Sequence, residues 1–313
     1  MFFSIFAFMR ISKSYILIAL NLFLVTGLKS QNVEVGLMLG GSNYLGDLSN
    51  ETFLLNQTKF SASIFGRYNF LPRFSMKGFI GYGQVAGDDN NFKDETRSYA
   101  GLEDFKFNYY RNLNFYSEIY EASVHAEYNL LKMDLNSYQS RQFIPYVFGG
   151  IGLFHFNPKS TFDGKEVELQ PLATEGQGST TYNDLKKYSL TSICLPVGLG
   201  FRQKIGDDFF IGIEGGLRFT RTNYLDDVGG LYASNSVVNG ASGRVALLMS
   251  DRSWERPDVN VVPNLEEPMK NNYIFEEGFK RSDRKTFSND IYFMAGITIS
   301  YVIRFKGQGC PTF

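Results

Sequence analysis

The residues best equipped for chemistry in this 313-residue sequence are few: two histidines and two cysteines. His125 stands out because Ser123 and Glu127 flank it two residues away on either side. Serine, histidine and a carboxylate are the types of a nucleophile, its base and the group that orients the base. On a strand all three share one face, yet alternate side chains are about 7 Å apart, which puts direct hydrogen bonds within the strand out of reach. A polar network is expected here rather than a catalytic site. His155 has no visible partner, and two His with two Cys scattered over the chain make no metal-ligand spacing. Gly149, Gly150 and Gly152 lack the following helix of a phosphate loop and read as strand curvature or close backbone approach. No cofactor is expected.

Strands must position these residues. From 290 to 305, apolar residues recur at every second position, beginning with Ile291, Phe293 and Ala295 and ending with Tyr301, Ile303 and Phe305. Mostly small or polar residues fill the alternate positions. Period-two alternation of this length is a strand with two unlike faces. It is long enough to cross a bilayer, for which a tilted strand needs about 9–11 residues. The same pattern predicts strands over 32–45, 59–70, 74–85, 115–130, 143–156, 189–203 and 209–222. Segment 143–156 is apolar on both faces; by aromatic weight Ile144, Tyr146, Phe148, Phe154 and Phe156 are expected to look outward. Aromatic residues near the strand ends would mark two membrane interfaces.

The connections alternate between short links and long polar loops, the longest at about 86–114, 157–188 and 223–289. Short turns on one rim, long loops on the other and an even strand number predict an all-β fold. It is an eight-stranded antiparallel transmembrane outer-membrane β-barrel, with short periplasmic turns and long extracellular loops. A soluble eight-stranded barrel of lipocalin type would carry its apolar face inside. Here the face opposite Ile, Leu, Val, Phe and Tyr holds Gly, Ser and charge. That inner set contains Glu34, Glu121, Glu127 and Glu214 against Arg67, Lys77, Arg202, Arg218 and Arg304, with His125 among them. A barrel of eight strands is only wide enough for its own side chains, and an unpaired buried ion is costly. The charges are therefore expected to pair and to plug the lumen.

Charge is nearly balanced, 31 basic against 32 acidic residues, which gives no footprint for nucleic acid. Arg10 and Lys13 precede an apolar run from Tyr15 to Val25, and a cleavage point is expected after Ser30. Residues 1–30 thus read as a signal peptide for export, 31–306 as the barrel and 307–313 as a periplasmic tail. Both termini of the mature chain fall on the short-turn side. Cys194 and Cys310 lie towards opposite rims and should not pair, since a disulfide needs Cα atoms within about 7 Å. Cys310 in the terminal GQGCPTF is then either a thiol free to cross-link a partner or an unpaired or capped tail cysteine.

The segments GLMLGGSNYLGDL (36–48) and RNLNFYSEIYEASVHAEYNL (111–130), the strand pair around CLPVGLGFRQKI, and the cysteine-containing tail resemble the PorG-type family of outer-membrane proteins. That family belongs to the type IX protein secretion and gliding machinery. The resemblance implies a structural barrel, not an enzyme, that tethers a periplasmic ring, built from a lipoprotein and its partner, to the outer membrane. The tail residues Cys310, Pro311 and Phe313 become the expected contact with that ring, and outer-membrane lipid the expected surroundings. Segment 223–289 does not align with the family pattern. Two other readings remain open: a small outer-membrane enzyme acting on lipid or surface glycan, and a structural barrel without a secretion role.

Overall fold

A computed structural model describes residues 32–50, 52–99, 101–133, 143–256, 275, 277–282 and 289–304, with backbone alone at 32 and 304. Eight long strands form one sheet: β1 (Asn32–Leu45), β2 (Lys59–Asn69), β3 (Phe74–Asp88), β4 (Asn114–Asn129), β5 (Phe143–Phe162), β6 (Thr191–Ile205), β7 (Phe209–Thr220) and β8 (Ile291–Arg304). Each pairs antiparallel with its neighbours in sequence. β1 also pairs with β8, from Asn32 opposite Arg304 to Leu45 opposite Ile291, and the sheet closes. No free edge of the barrel is left for another chain to pair with.

The alternation seen in sequence becomes an outside and an inside. Val35, Ile64, Ile80, Ile151, Leu199 and Ile297 point outward and are exposed, Leu199 at 67 %. The intervening side chains are buried within the barrel. Aromatic pairs gather on the outside at the short-turn end: Phe74–Tyr128, Phe143–Phe201 and Phe209–Tyr301, with ring centroids 5.1, 5.5 and 5.1 Å apart. Tyr82–Tyr120 and Phe53–Phe293 lie nearer the other end. On β3 the step from Phe74 to Tyr82 covers roughly 27 Å of strand at about 3.4 Å per residue. Tilted by about 40°, such a strand spans close to the height of an apolar membrane band.

Two expectations change. On β5 the orientation is reversed: Ile144, Tyr146, Phe148, Phe154 and Phe156 are all buried, while Phe143, Val147, Ile151 and Leu153 face out. The reason is volume. A side chain on Gly198 or Gly216 would fall within 2.5–2.7 Å of the Phe148 ring, and one on Gly200 within 2.7 Å of Tyr146. Glycines on the inner faces of β6 and β7 leave space that the β5 aromatics fill. Ile291, expected on the outer face, is also buried, where β8 emerges from the loops.

The long loops carry their own structure. β5 runs on to Phe162 and turns back into a short strand, Lys165–Glu168, through Asp163 and Gly164 at φ 51° and 72°. Asp-Gly between two strands is the usual composition of such a turn, so this hairpin was readable. Strands Arg97–Tyr99 and Leu102–Phe105 form a second hairpin. A helix, Asn235–Ser250, breaks at Gly243, whose φ of 82° suits glycine. Among the described residues no helix is long and apolar enough to cross a membrane, which says nothing about strands. The signal segment lies outside the described residues.

Candidate functional site

Strand geometry brings nearly every predicted lumen residue into one network. Arg67 on β2 donates to Glu34 on β1 at 2.6 Å and to both Glu127 oxygens on β4 at 2.6 and 3.2 Å. Lys77 on β3 reaches both Glu214 oxygens on β7, at 2.7 and 2.5 Å, and Glu127 at 3.2 Å. Arg202 on β6 donates to Glu34, Asn69 and Ser300 complete that carboxylate, and Tyr146 donates to Glu214 at 2.6 Å. Higher in the barrel Arg218 pairs with Glu121 at 3.1 Å, and Tyr292 donates to the same oxygen. Four glutamates thus meet four cations, each at most 3 % exposed. At the short-turn end Met133, Ile144, Phe210 and Val302 close an apolar layer. The Arg304 side chain lies outside the described residues.

Matched charge fills the lumen. Buried ions gain stability only where geometry is good and the remaining polar atoms are satisfied. Most of these carboxylates accept several hydrogen bonds each, and Arg67 forks between two of them.

The expectation for His125 needs correction in its detail. Its Nε2 is 2.8 Å from Ser123 Oγ, despite the two-residue spacing, because the imidazole leans along the strand. The carboxylate in contact is Glu121, 2.6 Å from the same hydroxyl, and not Glu127, which is held by Arg67 and Lys77. Glu121 is paired with Arg218, so Ser123 donates to it and accepts from His125. That directs the serine proton to the carboxylate rather than to imidazole, the wrong polarity for nucleophile activation. His125 is wholly buried and stacked between Phe79 and Phe148, with centroids 5.4 and 5.0 Å away. A filler of the lumen fits these contacts. His155 is exposed and lies 3.2 Å from Thr191 Oγ1. Cys194 is a buried free thiol beside the Tyr292 hydroxyl. Cys310, Pro311 and Phe313 lie outside the described residues.

Sequence reasoning missed a second buried network, above the long-loop rim. Arg111 grips Asp89 through Nε and Nη2 at 2.9 and 2.6 Å and donates to backbone carbonyls of Asp47 and Arg281. Arg281 in turn reaches Glu175 Oε1 at 3.3 Å and the carbonyls of Asp227 and Ser250 at 2.5 and 3.2 Å. Tyr44, near the end of β1, donates to Asp226 and Asp290. These bonds tie all four long-rim loops into a cap. Burial alone would weaken the Arg111 proton, but Asp89 more than offsets this and raises its pKa. Burial pushes Glu175 and Asp227 above the ordinary carboxylate range, although Arg281 counters it. Among the described residues no cluster of three or more His, Cys, Asp or Glu could hold a metal ion.

Comparison with known proteins adds a family. Residues 13–240 match the family described as "Domain of unknown function (DUF6089)". The chain belongs to that family. The DUF6089 match includes β1 to β7 and ends inside the helix Asn235–Ser250, before β8. No curated protein matches the chain. Among solved structures it is similar to Ail, the attachment invasion locus protein of Yersinia pestis, in complex with the heparin analogue sucrose octasulfate. That likeness has 8 % identity and a TM-score of 0.37, over 88 % of this chain and 100 % of that one. Neisserial surface protein A matches at 10 % identity and a TM-score of 0.35, over 88 % and 98 %. The N-terminal β-barrel domain of Pseudomonas aeruginosa OprF gives 10 % and 0.33, over 87 % and 97 %. These likenesses are distant, and the closed eight-stranded barrel stands on the strand register given above.

Proposed function

We propose that this DUF6089 protein is a structural component of the outer membrane that anchors the periplasmic ring of a type IX secretion apparatus. The observation that carries the structural half is the filled lumen. Four glutamates paired with four cations above an apolar floor fill the lumen, which supports a barrel that serves as a body held in lipid. The secretion half rests on the resemblance of segments 36–48 and 111–130 and of the tail to PorG-type proteins. The chain leaves β8 at Arg304, on the rim of short turns, where that resemblance puts the lipoprotein and its partner.

Under this reading the tail, with Cys310, Pro311 and Phe313, is the ring contact, and both ends of the mature chain are periplasmic. Affinity purification of the full chain from outer membranes tests it. The ring lipoprotein and its partner are expected to co-purify, and secretion of the cargo to fall when residues 307–313 are deleted. A non-reducing gel of wild type and Cys310→Ser asks whether the tail thiol makes an adduct. Absence of ring proteins from the purified barrel, with normal secretion by the tail deletion, would overturn the reading.

A further inference from the structure

The connection from β1 to β2 lies across the outer face of the barrel instead of standing up from its rim. Phe53 packs edge-on against Phe293 of β8, with ring centroids 5.5 Å apart. Asn43, at an outward position of β1, donates to the Leu54 carbonyl at 2.7 Å and to Thr58 Oγ1 at 3.0 Å. Gly41 leaves room for the crossing, since a Cβ there would stand 2.6 Å from the Thr58 methyl carbon. Farther round, Asn56 donates at 3.0 Å to Asn91, on the loop that follows β3. Segment 53–58 is thus a strap over the outside of the barrel, at the long-loop edge of its apolar band.

Two unlike surfaces meet at this strap. Phe60, 60 % exposed, ends the outward row that contains Ile64 on β2, and on the strap Phe53 and Leu55 are exposed as well, Leu55 at 81 %. Beside them, between the strap and the upper ends of β3 and β4, is a cleft of about 540 Å³. Asn56, Gln57, Gln84, Asn91 and Asn114 line it, and its charges are one of each sign, Lys59 and Asp88. Bonds within the protein hold two of these amides in place: Asn114 Oδ1 accepts from Ser160 Oγ at 2.7 Å, and Asn91 Nδ2 donates to the Asp88 carbonyl at 3.1 Å. Gln84 accepts from Ser42 through its backbone carbonyl at 2.6 Å, while among the described residues its side-chain amide has no partner.

We propose that strap and cleft together hold a glycolipid of the outer leaflet, its acyl chains against Phe53, Leu55 and Phe60 and its sugar in the cleft. The acyl half follows from continuity with the lipid-facing band, because apolar side chains as exposed as these favour lipid over water. The sugar half follows from the lining. A hydroxyl both donates and accepts, and an amide offers one group of each kind. A phosphate head would call for gathered cations, whereas here Lys59 is offset by Asp88. The height agrees as well. Gln84 follows Tyr82 at the next outward position of β3, and the Tyr82–Tyr120 pair marks the interface. The cleft therefore begins where lipid headgroups begin. The proposal rests on the membrane-spanning barrel and not on any role in secretion.

Native mass spectrometry of the full chain, released from a detergent without sugar, tests this with dioleoyl digalactosylglycerol as the probe and dioleoyl phosphatidylglycerol as the control with the same chains. The galactolipid is expected to be retained about tenfold more tightly than the phospholipid. Gln84→Ala, which keeps the backbone bond to Ser42, should remove most of that preference and leave phospholipid retention unchanged. Leu55→Glu should weaken both lipids. Heat-modifiable gel migration reports whether each variant retains its barrel. Equal retention of the two lipids by wild type would overturn the proposal, as would an unchanged preference in Gln84→Ala or unchanged galactolipid retention in Leu55→Glu. Displacement of the galactolipid by an equal concentration of free galactobiose would overturn it too, since the acyl chains would then contribute nothing.

Discussion

Arg67 and Arg281 are both fully buried and both reach two acidic residues, yet their supports differ. Arg67 and its partners Glu34 and Glu127 stand on strands whose inward positions repeat every second residue. Arg281 meets Glu175 and Asp227 on irregular loops, and much of its bonding is to backbone carbonyls. In the barrel the ladder positions the ions, and the ions neutralise one another. In the cap the ions position the backbone. Substitution in the lumen should therefore act on the whole barrel, and substitution in the cap on the cap alone.

The largest effect is expected from Arg67→Leu, which removes the cation that Glu34 and Glu127 share and leaves Glu34 to Arg202 and Glu127 to Lys77. Breaking a buried pair from one side costs about 3–5 kcal/mol. Urea unfolding in lipid vesicles should show a loss of that order, and adding Glu127→Gln should recover part of it. Next comes Leu199→Arg, which puts a charge on the most exposed part of the apolar band. A cation near the bilayer midplane costs about 2–4 kcal/mol, and the same unfolding assay reads it. An unchanged midpoint would remove the outward face from lipid.

Arg281→Ala should sharpen the contrast from the other side. Hydrogen exchange is expected to rise in 173–190 and 222–256, while the strands keep their protection and the protein its heat-modifiable migration. If strand protection fell equally, cap and barrel would be one cooperative unit.

The smallest effect is pH-dependent. Burial pushes Asp251 up to about 6 from its ordinary 3.8, with hydrogen bonds from Ser253 and Phe275 opposing it. The folded cap therefore holds this proton more tightly than the opened cap does. The contribution is full below about pH 3.8 and is lost as pH rises through about 6. Each pH unit between those values is about 1.4 kcal/mol. Cap protection factors should be higher at pH 5 than at pH 8, and Asp251→Asn should reduce the difference. Glu175 and Asp227, raised in the same direction, would leave a remainder.

The same contrast explains what could be read from sequence. Alternation located all eight strands and the inward placement of Glu34, Arg67, Lys77, Glu121, Glu127, Arg202, Glu214 and Arg218, because a pleated strand turns spacing into side. It failed on β5, where Tyr146 and Phe148 on one face match Val147 and Ile151 on the other in apolarity. The sign lay in the glycines at 198, 200 and 216 on neighbouring strands, which demand bulk from somewhere. Ser123 and His125 met against expectation because Cα spacing does not limit how side chains lean. Arg111, Asp89, Glu175 and Arg281 gave no signal at all, since their meeting depends on loop paths with no periodicity. The helix Asn235–Ser250 was hidden by Gly240 and Gly243, which weaken helical propensity.

That paired ions seal the lumen is the central claim, and conductance tests it most directly. Purified protein in planar bilayers should give no stable open-channel current, and Arg67→Leu with Glu127→Gln should begin to leak only as the barrel loosens. Steady, reproducible channel currents from the wild-type protein would contradict a sealed barrel.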